Sequence, residues 1–581
     1  MKVLLTAVNA KYIHTSLALR SLMAYADAEG RYTKIKEYTI NNRIEFIVSD
    51  IYKEKPDFIG FSCYIWNIGM IKIIAGRLKK LLPGTVLFFG GPEVSYDSAA
   101  FLEENPFADA VIRGEGEGVY KSLLERWTED GDISDIGGIT YRKNGEIHEN
   151  PVGEPLRLDD IPFVYANADE FKNRIIYYET QRGCPYNCQY CLSSVEKGVR
   201  FLSPERVKSD LKFFLDNKVK QVKFVDRTFN CSHEHAMMIW KYIMDNDNGI
   251  TNFHMEITAD ILRDEAIELL KKARKGLFQF EIGVQSTNRL TIEAVKRNAA
   301  FGGIADVVRR VAEAGNIHQH LDLIAGLPYE DYESFGRSFD DVYALEPEQL
   351  QLGFLKLLKG SGLRRDADKY GIVYADEAPY EVLYTKDISF DGLLRLKGIE
   401  EMVETFYNSG KAKNTIRYMV EKNGRAFSFF ETLALWWEKN GYDEISHSKM
   451  DLYGRLFDFF TEQAGFREHL GHIRELLRFD IFLGDNMKNI PQSIERDQSE
   501  EERKWEREFY ENPENIEKYL PELVGYTPRQ LLRMCRIEFF DIDPITGEDK
   551  KTAVLFDYYG RDELLNKAKS AVVWRSDGYG A

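Results

Sequence analysis

Cysteine is scarce, with six residues in 581. So few thiols in so long a chain exclude a disulfide framework and suit the reducing cytoplasm. Long apolar runs are missing as well. None approaches the ~18 residues that span a bilayer, and the apolar start at 2–8 is too short for a signal peptide and lacks a small-residue cleavage pattern. A soluble, cytoplasmic protein is the expectation. Positive charge is not in excess either: the net charge is −17, whereas binders of nucleic acid usually present a basic face, so a nucleic-acid partner is not indicated. What is present is ordinary for a globular protein, 44 % hydrophobic and 13 % aromatic residues,. The length exceeds a single core, and three domains are the natural expectation.

Two stretches alternate apolar runs with helical patterns. Residues 2–8, 32–38, 57–62, 85–89 and 109–112 read as strands, with helix-like segments at 16–28, 67–82 and 118–127. Near-continuous apolar strands separated by helices predict an α/β, doubly wound parallel sheet over 1–130. Ligands of such sheets sit outside the carboxyl ends of the strands. The chemically marked residues fall there: Asn9, Ser62 with Tyr64 and Trp66, Gly90-Gly91-Pro92-Glu93, and Gly114-Glu115-Gly116-Glu117. A hairpin signal at 137–141 and 146–150, around Asn144-Gly145, is placed in a linker at 131–172. From 175 the rhythm returns for six units, with strands expected at 175–179, 221–225, 253–258, 278–284, 318–324 and 349–355. Ser203-Pro204-Glu205 marks one helix start, with Pro at the first helical position. Six units cannot close the usual eight-stranded barrel, so 173–375 reads as an open, partial parallel barrel with its chemistry at the C-terminal strand ends.

Three of the six cysteines share one short loop after the first of these strands, Cys184-Pro185-Tyr186-Asn187-Cys188-Gln189-Tyr190-Cys191. Thiolates at C-x3-C-x2-C spacing can converge on one soft metal centre. A [4Fe–4S] cluster normally takes four cysteine ligands; three leave one iron open, as a catalytic metal requires. The alternative is a zinc site or three unrelated buried thiols, but zinc sites usually bring a paired knuckle and a fourth ligand nearby, and no further Cys or His is close in the sequence.

The spacing and its flanks resemble the radical S-adenosylmethionine (SAM) superfamily. The resemblance implies that Cys184, Cys188 and Cys191 hold a [4Fe–4S] cluster whose open iron is chelated by SAM. It also implies that one electron, from a reductant such as flavodoxin or ferredoxin, cleaves SAM to methionine and a 5′-deoxyadenosyl radical under anaerobic conditions. Val225-Asp226-Arg227-Thr228-Phe229-Asn230 resembles the F-x-D-D-T-F element of one branch, with Arg227 in place of the second acidic residue. His254 and Glu256 alternate onto one face of the third strand. Glu281-Ile282-Gly283-Val284-Gln285-Ser286 is similar to the E-x-G-x-Q-S motif, and Asp322 to Pro328 to an element that packs beside adenine. By this resemblance Asp226, Glu256, Glu281, Gln285, Ser286 and Gly326 would bind the cofactor, a carboxylate being the right acceptor for vicinal hydroxyls or an ammonium. Taken singly, each carboxylate reads equally as solvated or salt-bridged.

The N-terminal region resembles the cobalamin-binding domain that precedes the barrel in one large branch. Ser62, Tyr64 and Trp66 match the stretch along the corrin, and Gly90, Gly91, Pro92 and Glu93 the stretch near its nucleotide loop. Gly114 to Glu117 is a further mark of the branch, so Glu115 and Asn9 join the candidate cobalamin-binding residues. The D-x-H-x-x-G motif is absent. His14 stands in no such frame and reads as a helix-start or surface histidine, which implies cobalamin without a protein imidazole on cobalt. Cys231 reads as a buried small hydrophobe, the alternative being a hydrogen-atom donor, and Cys63 and Cys535 as buried thiols.

Residues 376–581 change character. Amphipathic helices are expected at 393–407, 413–422, 426–438 and 446–463, with Phe427, Trp436 and Trp437 in their core. The highly charged 492–515 reads as a solvated helix or a partly disordered stretch, and strands are expected at 537–542 and 552–558. This region resembles the uncharacterised C-terminal domain of some cobalamin radical SAM proteins and is expected to cap the barrel and select the substrate. The leading reading is a cobalamin-dependent radical SAM methyltransferase acting on an unactivated carbon. An alternative keeps both cofactors and performs a cyclisation, ring contraction or oxidation. Another is a B12- or redox-sensing binding protein. The substrate stays open between a small molecule, a peptide and RNA.

Overall fold

The computed structural model describes residues 1–129, 131–165, 167–195, 198–562 and 567–575. The chain divides into two compact units, residues 1–331 with 353–389, and residues 332–352 with 390–581. The two α/β regions therefore form one unit, and the expected boundary at 375/376 moves to 389/390. The second unit also takes the helix Tyr332–Tyr343 from the barrel's last repeat.

In the first unit, β1 (Val3–Asn9), β2 (Thr33–Thr39), β3 (Phe58–Ser62), β4 (Val86–Gly90) and β5 (Ala110–Ile112) pair in parallel in the order β2-β1-β3-β4-β5. Every residue of β1 is buried, because apolar side chains on both faces must be covered from both sides. Ile71, Ile74 and Leu78 pack in one core and Tyr120, Leu123 and Leu124 in the other. The predicted hairpin forms as β6 (Ile139–Lys143) and β7 (Glu146–Glu149), with φ of 53° at Asn144 and 85° at Gly145, as a type I′ turn requires,. It does not belong to a linker: β6 pairs antiparallel with β5 and extends the sheet, because Ile139 and Tyr141 bury into its second core.

The second sheet begins with β8 (Ile176–Tyr178), followed by a short antiparallel pair, β9 (Gln181–Arg182) and β10 (Arg200–Phe201). Next come β11 (Gln221–Phe224), β12 (Asn252–Ile257), β13 (Phe278–Gln285), β14 (His318–Ala325) and β15 (Gln349–Phe354), in the linear order β15-β14-β13-β12-β11-β8. This is the expected partial barrel. One face carries Phe253, Met255, Phe278, Phe280, Leu321 and Leu323, all fully buried. By period-two alternation the other face carries Lys223, His254, Glu256, Glu281, His320 and Asp322 and lines the lumen. A small hairpin, β16 (Val373–Tyr374) and β17 (Val382–Tyr384), follows.

The second unit is mostly helical, with helices at Phe390–Met402, Lys413–Asn423, Ala426–Lys439, Lys449–Glu462 and Leu470–Gly484. Phe427, Trp436 and Trp437 are buried among them, as expected of a core. The charged stretch is ordered: Ser499 and Glu502 form a capping box on the helix Glu500–Glu511,. That helix buries Phe509 and Tyr510 in a core shared with β18 (Cys535–Phe540), β19 (Thr552–Asp557) and β20 (Lys569–Arg575). The third of these strands was not foreseen. Among the described residues no helix is long and apolar enough to cross a membrane.

Candidate active site: a thiol loop at the mouth of a polar lumen

The cysteine loop is pinned at its neck. β9 and β10 pair Arg182 with Arg200 and Gln181 with Phe201. Gly183 has φ +100°, and a Cβ there would lie 2.1 Å from the Gly198 carbonyl oxygen, so only glycine passes,. Beyond the neck the loop ties itself together and to the barrel. Ser194 Oγ donates to the Cys188 and Cys191 carbonyls at 2.9 and 2.7 Å. The Gln189 N–H donates to the Val295 carbonyl at 2.9 Å. Arg297 donates to Tyr190 Oη at 3.2 Å and to the Gly283 carbonyl, joining the loop's far end to β13. Cys184, Cys188 and Cys191 are all free thiols; Cys188 is buried, which pushes its thiol up.

Among the described residues no three His, Cys, Asp or Glu side chains form a group that could hold a single metal ion. A four-iron cube carries each thiolate on a separate iron, and three free thiols on one braced loop are the donors such a cluster takes.

Asp226, just after β11, is fully buried and serves the neck. Its carboxylate accepts from the backbone N–H groups of Thr180 and Gln181 at 2.8 and 3.1 Å and from the Thr180 hydroxyl. Burial outweighs these bonds and pushes its carboxyl up to about 7. Cys231, half-buried where a buried residue was expected, donates to Gln181 Oε1 at 3.4 Å.

The lumen layers follow from register, which aligns Lys223 with Tyr177 and His254, Glu256 with Glu281, and Glu281 with His320. Glu281 Oε2 lies 3.0 Å from Lys223 Nζ and 3.1 Å from His254 Nε2. Burial alone would raise Glu281; these two neighbours overcome it and hold the carboxyl at about 2. Glu256 has no cation as close, and burial, reinforced by the charge of Glu281, pushes it up to about 7. His320 Nε2 sits 2.8 Å from Asp322 Oδ1, and although burial works against it, Asp322 raises the imidazole. A bulge on β13 gives Gln285 φ +71° and swings its Nε2 to 2.1 Å from where a Gly283 Cβ would be. That accounts for the glycine of the motif.

Of the buried lumen atoms Gln285 Oε1 has no hydrogen-bond partner, whereas His254 Nε2, His320 Nε2 and Asp322 Oδ1 meet theirs as the ion pairs above. A buried acceptor left unpaired costs about 1–3 kcal/mol, so Gln285 Oε1 suits a polar ligand able to donate to it. Ser286 is differently engaged, its Oγ donating to Glu330 at 2.5 Å. Gly326 has φ +87°, with Val382 2.8 Å from a would-be Cβ, so packing explains it. Lys223, Arg297, His320 and Glu330 were not singled out from the sequence. Period-two alternation could have found Lys223 and His320, whereas Arg297 and Glu330 lie on loops with no local signal.

At the carboxyl edge of the first sheet, Tyr64 and Trp66 stack at 4.4 Å and 5°. Trp66 is 46 % exposed and its Nε1 donates to the Val8 carbonyl at 3.2 Å. Asn9, Ser62, Gly90 and Gly91 gather at the same edge. Gly91 has φ +110°, and a Cβ there would meet the Cys63 carbonyl oxygen at 2.4 Å. Pro92 opens the short helix Pro92–Ser95. This flat, open aromatic surface fits a large planar ligand. Glu93 turns away from it: it is 1 % exposed and accepts from Tyr380 Oη at 2.8 Å. Glu115 is also engaged elsewhere, by Arg200 and Arg182. His14 is not a free surface histidine, since its Nδ1 lies 2.5 Å from Tyr177 Oη and the loop carrying it docks beside β8.

A doubly wound sheet joined to a partial barrel with this thiol loop is the arrangement expected of a radical SAM domain that follows a B12-binding-type domain. Comparison with known proteins agrees: residues 3–124 match the B12 binding domain, 178–342 the radical SAM superfamily, and 368–556 a protein family of unknown function (DUF4080). The chain therefore carries a B12-binding-type domain, a radical SAM domain and a DUF4080 region in that order. It is 27 % identical over 311 residues to the cobalamin-dependent radical SAM methyltransferase TokK of Streptomyces tokunonensis, covering 48 % of this chain and 44 % of TokK. It is 22 % identical over 329 residues to the anaerobic magnesium-protoporphyrin IX monomethyl ester cyclase of Synechocystis, 52 % of this chain and 62 % of that enzyme. The chain thus spans less than two thirds of the length of either curated relative. The solved structure of the cobalamin-dependent SAM radical enzyme OxsB with aqua-cobalamin shares the fold, with a TM-score of 0.57 and 14 % identity over 90 % of this chain and 84 % of that one.

Proposed function

We propose that this protein is a cobalamin-dependent radical SAM enzyme that methylates an unactivated carbon. The observation that carries the reading is that one compact unit holds both the braced three-thiol loop over a polar lumen and the open aromatic edge of a B12-type sheet. The name of TokK supports methyl transfer. Cys184, Cys188 and Cys191 would hold a [4Fe–4S] cluster. Glu281, Glu256 and Gln285 would meet the polar groups of SAM, while Ser286 and Asp226 hold the loops around it. Tyr64, Trp66, Asn9, Ser62 and the Gly90-Gly91 turn would carry cobalamin, with no imidazole offered to cobalt, since His14 stands in no D-x-H-x-x-G frame and its Nδ1 meets Tyr177. When bound, the cluster and SAM supply a hydrogen-abstracting carbon radical and cobalamin a transferable methyl group.

The protein's own part is to position and to exclude water. An unactivated carbon offers neither nucleophile nor electrophile, so the radical must be generated where solvent and stray donors are kept out. Lys223, His254 and His320 hold charged and hydrogen-bonding groups at fixed points of the lumen wall. A reductant of the flavodoxin or ferredoxin kind would supply the electron.

The test is anaerobic reconstitution of the full chain with iron, sulfide and hydroxocobalamin, then incubation with SAM, reductant and fractionated cell extract. A methylated product with both 5′-deoxyadenosine and S-adenosylhomocysteine is expected. 5′-Deoxyadenosine with an unmethylated, cyclised or oxidised product would move the assignment toward the cyclase-like reading. No 5′-deoxyadenosine at all, from protein loaded with cluster, would leave only a sensing role.

A further inference from the structure

The motif Gly114-Glu115-Gly116-Glu117 follows β5 of the B12-type sheet and opens the helix Gly116–Thr128, yet its carboxylates meet the neck of the cysteine loop. Arg182, the residue before Gly183 and Cys184, donates to Glu117 at 2.9 and 3.3 Å and to Glu179 at 2.8 and 3.0 Å, and stands 3.3 Å from Glu115. Arg200, its partner across the neck, pairs with Glu115 and donates to the Leu156 carbonyl at 2.5 Å. The Arg182 pairs are shielded, the side chain of Arg182 being 17 % exposed, Glu115 15 % and Glu117 7 %, while Arg200 is 34 % exposed. Glu115 therefore touches both strands of the neck, and Glu117 adds to the grip on Arg182. Arginine suits the task because its planar fork serves several carboxylates in fixed directions.

We propose that Glu115 and Glu117 are positioning residues for the cysteine loop, gripping its neck through Arg182 and Arg200 so that the B12-type domain sets where Cys184 stands. The proposal rests on the thiol loop of the function above, and it assigns the Gly-Glu-Gly-Glu motif to the cluster side of the site. Removing the two carboxylates takes from Arg200 its ion pair with Glu115 and from Arg182 all but Glu179, so the neck keeps a tie to its own strand and loses those to the B12-type domain. The neck would then fray while both sheets keep their cores.

The test uses the full chain, reduced and free of iron, so that it does not depend on cluster assembly. Alkylation rates of Cys184, Cys188 and Cys191 by iodoacetamide are followed by mass spectrometry in the parent, E117Q, E115Q/E117Q and R182K. Buried Cys63 and Cys535 act as internal standards, and D135N, which breaks the exposed Arg126–Asp135 pair, as a charge control. A rise of at least fivefold at the three loop cysteines is expected in E115Q/E117Q, with smaller rises in E117Q and R182K and none in D135N or at Cys63 and Cys535. Parent-like loop rates in a folded double variant, or an equal rise at Cys63 and Cys535, would overturn the proposal. Should the double variant fail to fold, E117Q is read on the same criteria. A parent chain that takes up no iron would count against the cofactor reading and leave this measurement intact.

Discussion

Asp226 holds Thr180 across 46 residues of sequence, accepting the Thr180 backbone N–H at 2.8 Å and the Thr180 hydroxyl with its other oxygen. The second strand of the barrel thus fixes the residue from which the cysteine loop departs. In D226A two backbone donors and a hydroxyl lose their acceptor in a dry site, which costs about 2–4 kcal/mol. Chemical denaturation should show this loss, and iron content after reconstitution should fall with it. D226N, which keeps one acceptor oxygen, should fall between D226A and the parent.

Gly183 is the steric gate of the loop. In G183A a methyl group would be driven against the Gly198 carbonyl oxygen in a left-handed backbone, so the neck must open. Iron uptake is expected to fall at least tenfold while hydroxocobalamin binding, followed by its visible spectrum, stays at the parent level. Parent-like iron content would show that the neck tolerates a side chain.

Glu256 gives the apo protein a pH signature. Its folded carboxyl titrates at about 7 against an ordinary 4.5. The unfolded chain therefore loses this proton first. The resulting destabilisation begins as pH rises above 4.5 and is complete above 7, at an upper bound of about 3 kcal/mol. E256Q should flatten the stability profile between pH 5 and 8 and be the more stable chain at pH 8. Denaturant midpoints across that range, measured without SAM, decide the matter.

Glu281 behaves in the opposite sense. Its carboxyl is held at about 2, so the stability it contributes is present above 4.5 and disappears as pH falls toward 2. E281Q leaves Lys223 and His254 without their shared partner and should destabilise by about 1–3 kcal/mol at neutral pH. Equilibrium binding of SAM to the cluster-loaded variant should weaken at least tenfold.

Trp66 separates the two cofactors. Nearly half exposed, yet stacked on Tyr64 and bonded to the Val8 carbonyl, it adds modestly to the fold, so W66A should cost about 1–2 kcal/mol. Cobalamin retention on gel filtration should drop at least tenfold with iron content unchanged. Loss of both together would mean that the edge and the thiol loop are not independent.

Much of this architecture was legible because its signals are local. Strand and helix periodicity comes from which neighbours are apolar, so the parallel strands were placed to within a residue or two. The C-x3-C-x2-C spacing lies within eight residues, and alternation alone put His254 and Glu256 on the lumen face. The hairpin at Asn144-Gly145 was found for the same reason. Its destination was not, because joining β5 depends on where Ile139 and Tyr141 find a core.

What the tertiary structure decided is which partner each polar group meets. Glu93 looked like a ligand contact and is bonded to Tyr380, 287 residues away; Glu115 meets Arg200 across 85 and His14 meets Tyr177 across 163. A carboxylate looks the same in sequence whether it will face a cofactor, an arginine or water. Its role is set by the charge and hydrogen-bond donors that folding brings within about 3 Å, and no local pattern encodes those.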